Sequence, residues 1–258
     1  MGRSLSAAVA GIALGLSLSP LAQAQSTWQG YHYVGSAAPT AYTGMEKLAA
    51  AIKEGTKGAV SVRMNVGGAL PIQAASITQA VGDGLVQIAA DGFMTGNVPI
   101  TGVLRLPMLL TSEEEFAKAS AALMPDIEKA YLKKGVVVLA QYVYPLQVAW
   151  STRKLTTVED MVGQKMRVTS PEQSEFVKLL GGSALTIGAP DVPSALASGL
   201  VDGAFTASSG GGRLWKDQLK YNFRFSPNYF NSFIIVNQDT CWPETETHDW
   251  ISHATYMD

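Results

Sequence analysis

The chain holds one cysteine, Cys241, among 258 residues. A single cysteine excludes an intrachain disulfide, so the fold must be held together by its apolar core. Neither sign of charge is in excess, since 19 Lys and Arg stand against 21 Asp and Glu. This balance argues against a basic face for nucleic acid and against an acidic tail. We therefore expect no nucleic-acid partner.

The motifs that mark common hydrolases and redox enzymes are also lacking. The sequence has no G-x-S-x-G, no H-E-x-x-H and no C-x-x-C. Its three histidines, His32, His248 and His253, do not cluster as metal ligands do. Residues 208–212 form a Gly-rich turn without the lysine of a phosphate-binding loop. We predict no enzyme, no cofactor and no metal site, and a structural role for His32.

The one long apolar run lies at the N-terminus. Arg3 precedes an apolar stretch over 5–18, and Ala22-Gln23-Ala24 supplies a cleavage site. The alternative, a membrane anchor, needs about 20 apolar residues, and this run is shorter. We predict a signal peptide over 1–24, cleaved after Ala24, and export to the periplasm. No later run is long enough to cross a bilayer, so the mature chain is expected to be soluble.

Strand and helix patterns alternate along the rest of the chain, which indicates the α/β class. Apolar residues at helical or alternating spacing, with Gly, Pro and capping residues at the ends, define the elements. We predict helices at 41–54, 71–81, 113–134, 171–180, 191–199 and 213–219, with Asp191 as a cap. We predict strands at 60–66, 85–90, 135–144, 183–187, 201–205 and 233–237.

The segment V-E-D-M-V-G-Q-K-M-R-V-T-S, residues 158–170, places Arg167 among apolar neighbours on a strand. A guanidinium offers two parallel N–H donors and keeps its charge, so in a cleft it is a receptor for a carboxylate. On a surface it would pair with an acid instead, and the spacing alone leaves both interpretations open. The helix after this strand begins with a capping box, Ser170-Pro171-Glu172-Gln173.

Two phrases, E-D-M-V-G-Q-K-M-R-V and A-L-A-S-G-L-V-D-G at 195–203, resemble the DctP-type solute receptors of TRAP transporters. Residues 45–58, 67–71 and 104–110 resemble further parts of the family, with Arg105 and Met108 as departures. The resemblance runs from about residue 28 to 237, and the order and spacing of the motifs make it fairly specific.

The resemblance implies a two-lobed periplasmic-binding-protein fold with mixed sheets and a ligand cleft between the lobes. Lobe 1 would hold 25–144 and 232–258, and lobe 2 would hold 145–231. Members of the family continue through further C-terminal helices. We therefore expect a truncated or frame-shifted C-terminus over 241–258, which an intact-mass measurement of the native protein would test.

The resemblance also implies that Arg167 forms a salt bridge to the ligand's carboxylate. Gln147 takes a position where some relatives hold a metal, but no acid follows Asp202-Gly203 within the next four residues. A direct hydrogen bond from Gln147 is therefore expected, the alternative being a solvated strand end. Phe205 and Thr206 occupy a ligand-contacting segment and favour an apolar or flat ligand body, although Phe205 could instead pack between the lobes.

Four further residues are candidate ligand contacts. Asp91 and Phe93 follow a strand and are expected at the cleft rim, where Asp91 would accept a hydrogen bond and Phe93 would stack on a ring. Trp150 is a candidate for the hinge or the pocket, and Asn231 precedes the returning strand. Each could instead be an ordinary loop or core residue.

The combined interpretation is a periplasmic receptor that binds an organic monocarboxylate with an apolar or aromatic body. It would deliver this ligand to the membrane permease subunits of a TRAP transporter. The alternatives are a receptor of the same fold that reports to a sensor kinase and, less favoured, a periplasmic enzyme.

Overall fold

The computed structural model describes residues 26–35 and 39–240. The predicted signal peptide and its cleavage site lie outside these residues, and so does the segment 241–258 on which the C-terminal expectation rests. Within the described part of the chain, no helix is long and apolar enough to cross a membrane.

The first sheet has the strand order β2-β1-β3-β10-β4. Its strands are β1 (Ser26–His32), β2 (Val60–Val66), β3 (Ile88–Asp91), β4 (Val136–Tyr144) and β10 (Phe230–Asn237). Strand β1 runs parallel to both β2 and β3, whereas β10 is antiparallel to β3 and β4. The last strand of the chain therefore returns to complete a sheet that the first strands began.

The second sheet has the strand order β7-β6-β8-β5-β9. Its strands are β5 (Gln147–Ser151), β6 (Lys165–Val168), β7 (Ser183–Thr186), β8 (Gly203–Ala207) and β9 (Tyr221–Phe223). Strand β6 is parallel to β7 and β8, and β5 is antiparallel to β8 and β9. Both sheets are mixed, as the resemblance implied, and the short strand β9 has no counterpart among the predicted elements.

In the described part of the chain, five α-helices pack around the sheets: α1 (Pro39–Gly55), α2 (Ile77–Gly82), α3 (Glu113–Leu132), α4 (Pro171–Leu179) and α5 (Val192–Ala197). Helix α3 begins with a complete capping box, in which Ser112 Oγ accepts from Glu115 N at 3.2 Å and Glu115 Oε2 accepts from Ser112 N at 3.3 Å. These bonds satisfy backbone donors that the first turn leaves free.

Three details of the predicted elements are wrong. The helix predicted at 71–81 is a 3₁₀ turn, Ala74–Ser76, followed by α2, because Gln73 is extended with ψ of 145°. Asp191 precedes α5, but its side chain makes no capping hydrogen bond. The helix predicted at 213–219 is a single helical turn followed by further turns. In the helical turn, Trp215 N donates to Gly211 O at 2.9 Å.

Gly203, which follows Asp202, has a packing role at the start of β8. A Cβ at Gly203 would collide with the carbonyl oxygen of Trp150 on β5 and lie 2.9 Å from Met166 Sδ on β6. Because backbone and buried side chains surround the position, neither neighbour can move away cheaply. A hydrogen atom at this position allows β8 to pair closely with both adjacent strands.

We expect Gly203→Ala to destabilise the protein by about 1–3 kcal/mol through this overpacking. Gly96→Ala is the matched control, because a Cβ at Gly96 meets no atom within 4 Å. Its effect should stay within about 0.5 kcal/mol. Urea unfolding followed by tryptophan fluorescence measures both variants, and equal stability of the two would show that the close approach at Gly203 is not a constraint.

Candidate functional site

A cavity of about 1000 Å³ lies where the two sheets face each other. It is bounded by residues that follow parallel strands: Tyr33 comes directly after β1, Phe93 two residues after β3, and Thr169 directly after β6. Carboxyl ends of parallel strands are the usual place for ligands in α/β folds. The cavity continues along apolar side chains of α1 and α3.

Arg167 enters this cavity from the middle of the second sheet. On β6 it pairs with Leu185 of β7 and with Ala204 of β8, whose side chain is only a methyl group. Arg167 Cζ lies 5.6 Å from the ring centroid of Phe93 and 5.4 Å from that of Trp215. Phe93 follows a strand of the first sheet, so the guanidinium touches aromatic groups from both sides of the cleft.

The charge of Arg167 has no ionic partner among residues 26–35 and 39–240. Its side chain is only 3% exposed, and its Nε donates to the carbonyl oxygen of Ile187 at 3.0 Å. Within the part of the chain that the structure describes, no acidic side chain forms an ion pair with it. Burial lowers the pKa of Arg167 to about 10, so it remains a cation at neutral pH. Arg167 is therefore buried, and the surface ion pair left open by the sequence does not form with any acid that the structure describes.

A network of amides lies next to Arg167. Gln173 Oε1 accepts from Thr169 N and from Thr169 Oγ1, both at 2.9 Å. Gln173 Nε2 donates to Gln147 Oε1 at 3.2 Å and to Asn228 Oδ1 at 2.9 Å. Gln147 Nε2 in turn donates to Thr169 Oγ1 at 3.3 Å. Gln147, Thr169 and Arg167 all line the cavity.

Only one of the two hydrogen bonds of the predicted capping box at α4 is formed. The side chain that would make the other bond, that of Gln173, belongs to the amide network instead. Ser170 Oγ accepts from Gln173 N at 3.3 Å, as a capping residue should. The Gln173 side chain, however, reaches the backbone of Thr169 instead of that of Ser170. The first turn of α4 therefore positions an amide beside the cavity.

Aromatic rings form the wall that the first sheet presents to the cavity. Phe93 and Phe230 meet edge to face at 6.1 Å, and Tyr33 contacts both rings at 5.7 Å and 6.1 Å. Tyr144 packs on Phe230 at 5.6 Å. Such a wall favours the apolar or flat part of a ligand.

Four of the eight residues selected from the sequence line the cavity: Arg167, Gln147, Thr206 and Phe93. Thr206 Oγ1 accepts from Gly211 N at 3.1 Å, which leaves its own proton free. Their contact with a ligand stays a prediction, but their common location is a feature of the fold.

The other four do not line the cavity. Asp91 is 1% exposed and its carboxylate is used inside the protein, accepting from Thr78 Oγ1 at 2.5 Å and from Phe93 N at 3.2 Å. Its expected place at the cleft rim is therefore wrong. Asn231 is also fully buried, and its Oδ1 accepts from Arg105 Nε at 3.0 Å. Both side chains hold the core behind the aromatic wall.

Phe205 faces away from the cavity, whereas Trp150 shares the sheet face of Arg167, since both pair with Ala204, but does not line the cavity. Successive side chains of a strand point to opposite faces, so Thr206 faces the cavity while Phe205 enters the core of the second sheet. There the Phe205 ring lies 6.5 Å from that of Phe176. Trp150 packs against Gly212, where a Cβ would lie 2.6 Å from its ring. Of the two places predicted for Trp150, the pocket is therefore not the one it occupies, and the hinge stays a prediction.

Tyr33, Thr169 and Trp215 line the cavity but were not selected from the sequence. Two of them had a usable signal, because Tyr33 directly follows β1 and Thr169 directly follows β6. Trp215 had none, since it follows a Gly-rich turn whose path no local pattern gives. Among the described residues, no group of three or more His, Cys, Asp or Glu is placed to hold a metal.

Residues 31–209 match the sequence model of the family described as bacterial extracellular solute-binding protein, family 7, or DctP. The chain belongs to this family. The match runs from the last two residues of β1 through β8 and includes Arg167, Gln147, Phe93 and Thr206, so all four predicted residues of the cavity lie within it.

Curated relatives of this family 7 chain agree with that assignment. A solute-binding protein of Chromohalobacter salexigens is 26% identical over 202 residues, covering 77% of this chain and 60% of the relative. The ectoine-binding periplasmic protein TeaA of Halomonas elongata is 25% identical, covering 63% of this chain and 50% of TeaA. The chain thus spans only about half of the length of these relatives.

Solved structures show the same two-lobed fold. The receptor DctP7 of Bordetella pertussis, which binds pyroglutamic acid, superposes with a TM-score of 0.77 at 22% identity, covering 83% of this chain and 71% of DctP7. A TRAP solute-binding protein of Desulfovibrio salexigens with bound orotic acid gives 0.74 at 21% identity, with 83% and 70% covered. At these identities the likeness shows the fold alone.

His32 lies behind the aromatic wall and is fully buried. Its Nδ1 accepts from Val34 N at 3.1 Å, and its ring stacks on Tyr33 at 4.8 Å. Burial lowers the pKa of His32 from 6.5 to about 4. A histidine with a lowered pKa contributes stability that is complete above pH 6.5 and is lost as the pH falls toward 4.

We expect His32→Asn, which keeps an acceptor for Val34 N, to remove this dependence. The unfolding free energy of the wild type relative to the variant should fall by about 3 kcal/mol between pH 7 and 4. The comparison with the variant is needed because burial raises the pKa of Asp91 to about 6, which changes stability in the opposite direction in the same window. A constant difference in urea titrations across these pH values would contradict the buried neutral state of His32.

Proposed function

We propose that this chain is a periplasmic solute receptor that binds a small organic monocarboxylate in the cavity between its two sheets. The observation that carries the proposal is the buried guanidinium of Arg167, which faces the cavity and has no acidic partner among the described residues. A desolvated cation is unfavourable until an anion reaches it. A ligand carboxylate supplies that anion and accepts two parallel hydrogen bonds.

The remaining wall of the cavity suits the body of such an acid. Phe93 and Trp215 flank the guanidinium, and Tyr33 and Phe230 extend the aromatic surface. Aromatic faces favour a flat or apolar group, and the exclusion of water strengthens the pairing of charges. A monocarboxylate with an apolar or aromatic body therefore matches the cavity better than a sugar acid with many hydroxyls.

Membership in family 7 and the fold support the role in transport. The predicted signal peptide would export the chain, and the receptor would deliver its ligand to the membrane subunits of a TRAP permease. DctP7 binds pyroglutamic acid and the Desulfovibrio protein binds orotic acid, both small acids with flat rings. The proposal extends this ligand class to the present chain, with Arg167 holding the carboxylate and no catalysis.

A thermal-shift screen of carboxylates, followed by calorimetry, tests the proposal. A bound acid at 100 times its dissociation constant stabilises the protein by about 2.7 kcal/mol. We expect Arg167→Ala to lose about 3–5 kcal/mol of binding free energy, at least a hundredfold in affinity, because it removes one partner of a buried charge pair. Arg167→Lys should recover only part of this loss, since an ammonium lacks the planar fork.

Arg224→Ala is the matched control, because Arg224 is exposed on the same lobe and does not line the cavity. It should bind the acid as the wild type does, and circular dichroism should show all three variants folded. Wild-type affinity in a folded Arg167→Ala variant would refute the proposed role. A screen in which only neutral sugars shifted the melting temperature would refute the ligand class.

A further inference from the structure

The direction of every hydrogen bond in the amide network is fixed by one backbone group. Thr169 N can only donate, so the atom of Gln173 that lies 2.9 Å from it must be the oxygen. The nitrogen of Gln173 therefore points to Gln147 and Asn228. The same orientation of Asn228 is required independently, because its Nδ2 donates to the carbonyl oxygen of Tyr229 at 2.8 Å.

The orientation of Gln173 also determines the orientation of the Gln147 amide. Because Gln173 presents a donor, Gln147 must present its oxygen to Gln173, at 3.2 Å. The nitrogen of Gln147 is then the atom directed toward Thr169 Oγ1, at 3.3 Å. One of its two N–H groups is used there, and the other has no acceptor among the described residues. Gln147 lines the cavity, so this second N–H is the part of the amide that is left to bind a ligand.

Two residues of the cavity wall present groups that can only donate. Arg167 has only N–H groups, and Gln147 has the second N–H of its Nε2. Thr206 Oγ1 accepts from Gly211 N, which leaves its proton and one lone pair for a ligand. Of the described residues that line the cavity, Glu113 is the only acid, and it is exposed at the first residue of α3. No carboxylate is therefore built in to receive a ligand ammonium.

We propose that the site selects acids that carry a second acceptor oxygen, such as a ketone or lactam carbonyl, and rejects amino acids. Gln147 is the residue that sets this preference, and Gln173 is the positioning residue that fixes the orientation of its amide. The inference rests on the proposed function, since it assumes a carboxylate on Arg167.

The test uses five acids built on one skeleton. The probes are 4-phenylbutanoate, its 2-oxo and 4-oxo derivatives, and its 2-amino and 4-amino derivatives. Calorimetry on the full mature chain should show at least one oxo acid binding about tenfold or more tightly than 4-phenylbutanoate, since it adds a buried hydrogen bond. Both amino acids should bind about tenfold or more weakly than 4-phenylbutanoate, because no buried carboxylate among the described cavity residues pairs with their ammonium groups.

Two variants assign the preference to its residues. Gln147→Met should reduce the ratio of the oxo-acid affinity to the 4-phenylbutanoate affinity to about onefold. Gln173→Glu places an acceptor opposite Gln147, so the Gln147 amide should turn its nitrogen inward and its oxygen to the cavity. The oxo acid and 4-phenylbutanoate have the same charge, so the added carboxylate affects both alike, and their affinity ratio should fall to one or below.

The outcomes separate this inference from the proposed function. If 4-phenylbutanoate binds through Arg167 but neither oxo acid binds more tightly, or an amino acid does, only the selection by Gln147 is overturned. A Gln147→Met variant that kept the oxo preference would overturn the same inference. If none of the five acids bound, the proposed function would fail together with it.

Discussion

The arrangement of this molecule depends on a desolvated cation at the cavity, Arg167, which the described acidic residues do not neutralise. Arg167 is 3% exposed and donates one hydrogen bond to Ile187, yet none of the described acidic residues pairs with it. Holding such a charge away from water is costly unless something offsets it. Two aromatic rings, Phe93 and Trp215, contribute part of the compensation through their faces. We assign the remainder to the carboxylate of a ligand.

The surrounding fold can be understood as the support for that cation. The close pairing of β6 with β8, which Gly203 allows, holds the Arg167 strand in the middle of the second sheet. The first turn of α4 supplies Gln173, which orients Gln147 at the cavity. On the opposite side, buried Arg105 and Asn231 brace the returning strand β10, with Arg105 lying over Phe230 at 4.4 Å. Residues from distant parts of the chain therefore meet at one cleft.

The sequence predicted what depends on local pattern and missed what depends on direction and packing. The α/β class, the strand that follows Asp202-Gly203 and the placement of Arg167 on a strand were predicted from the sequence and are confirmed by the structure. Phe205 was predicted on the cavity side of β8 but lies on the opposite face. A one-residue uncertainty in a strand reverses which side chain enters the cavity. Asp91 was misplaced because its partners, Thr78 and Tyr131, come from separate helices that no local pattern connects to it. Trp215 was not identified because a Gly-rich turn determines its path.

If Arg167 recognises its ligand by charge, the negative charge of the ligand must contribute most of the affinity. The most direct measurement compares the acid that gives the largest thermal shift with its own primary amide, which keeps the shape and removes the charge. We expect calorimetry to find the amide at least about a hundredfold weaker, the order expected for an unpaired buried charge. Equal affinity of the acid and the amide would contradict this role of Arg167, because recognition would then depend on the aromatic wall alone.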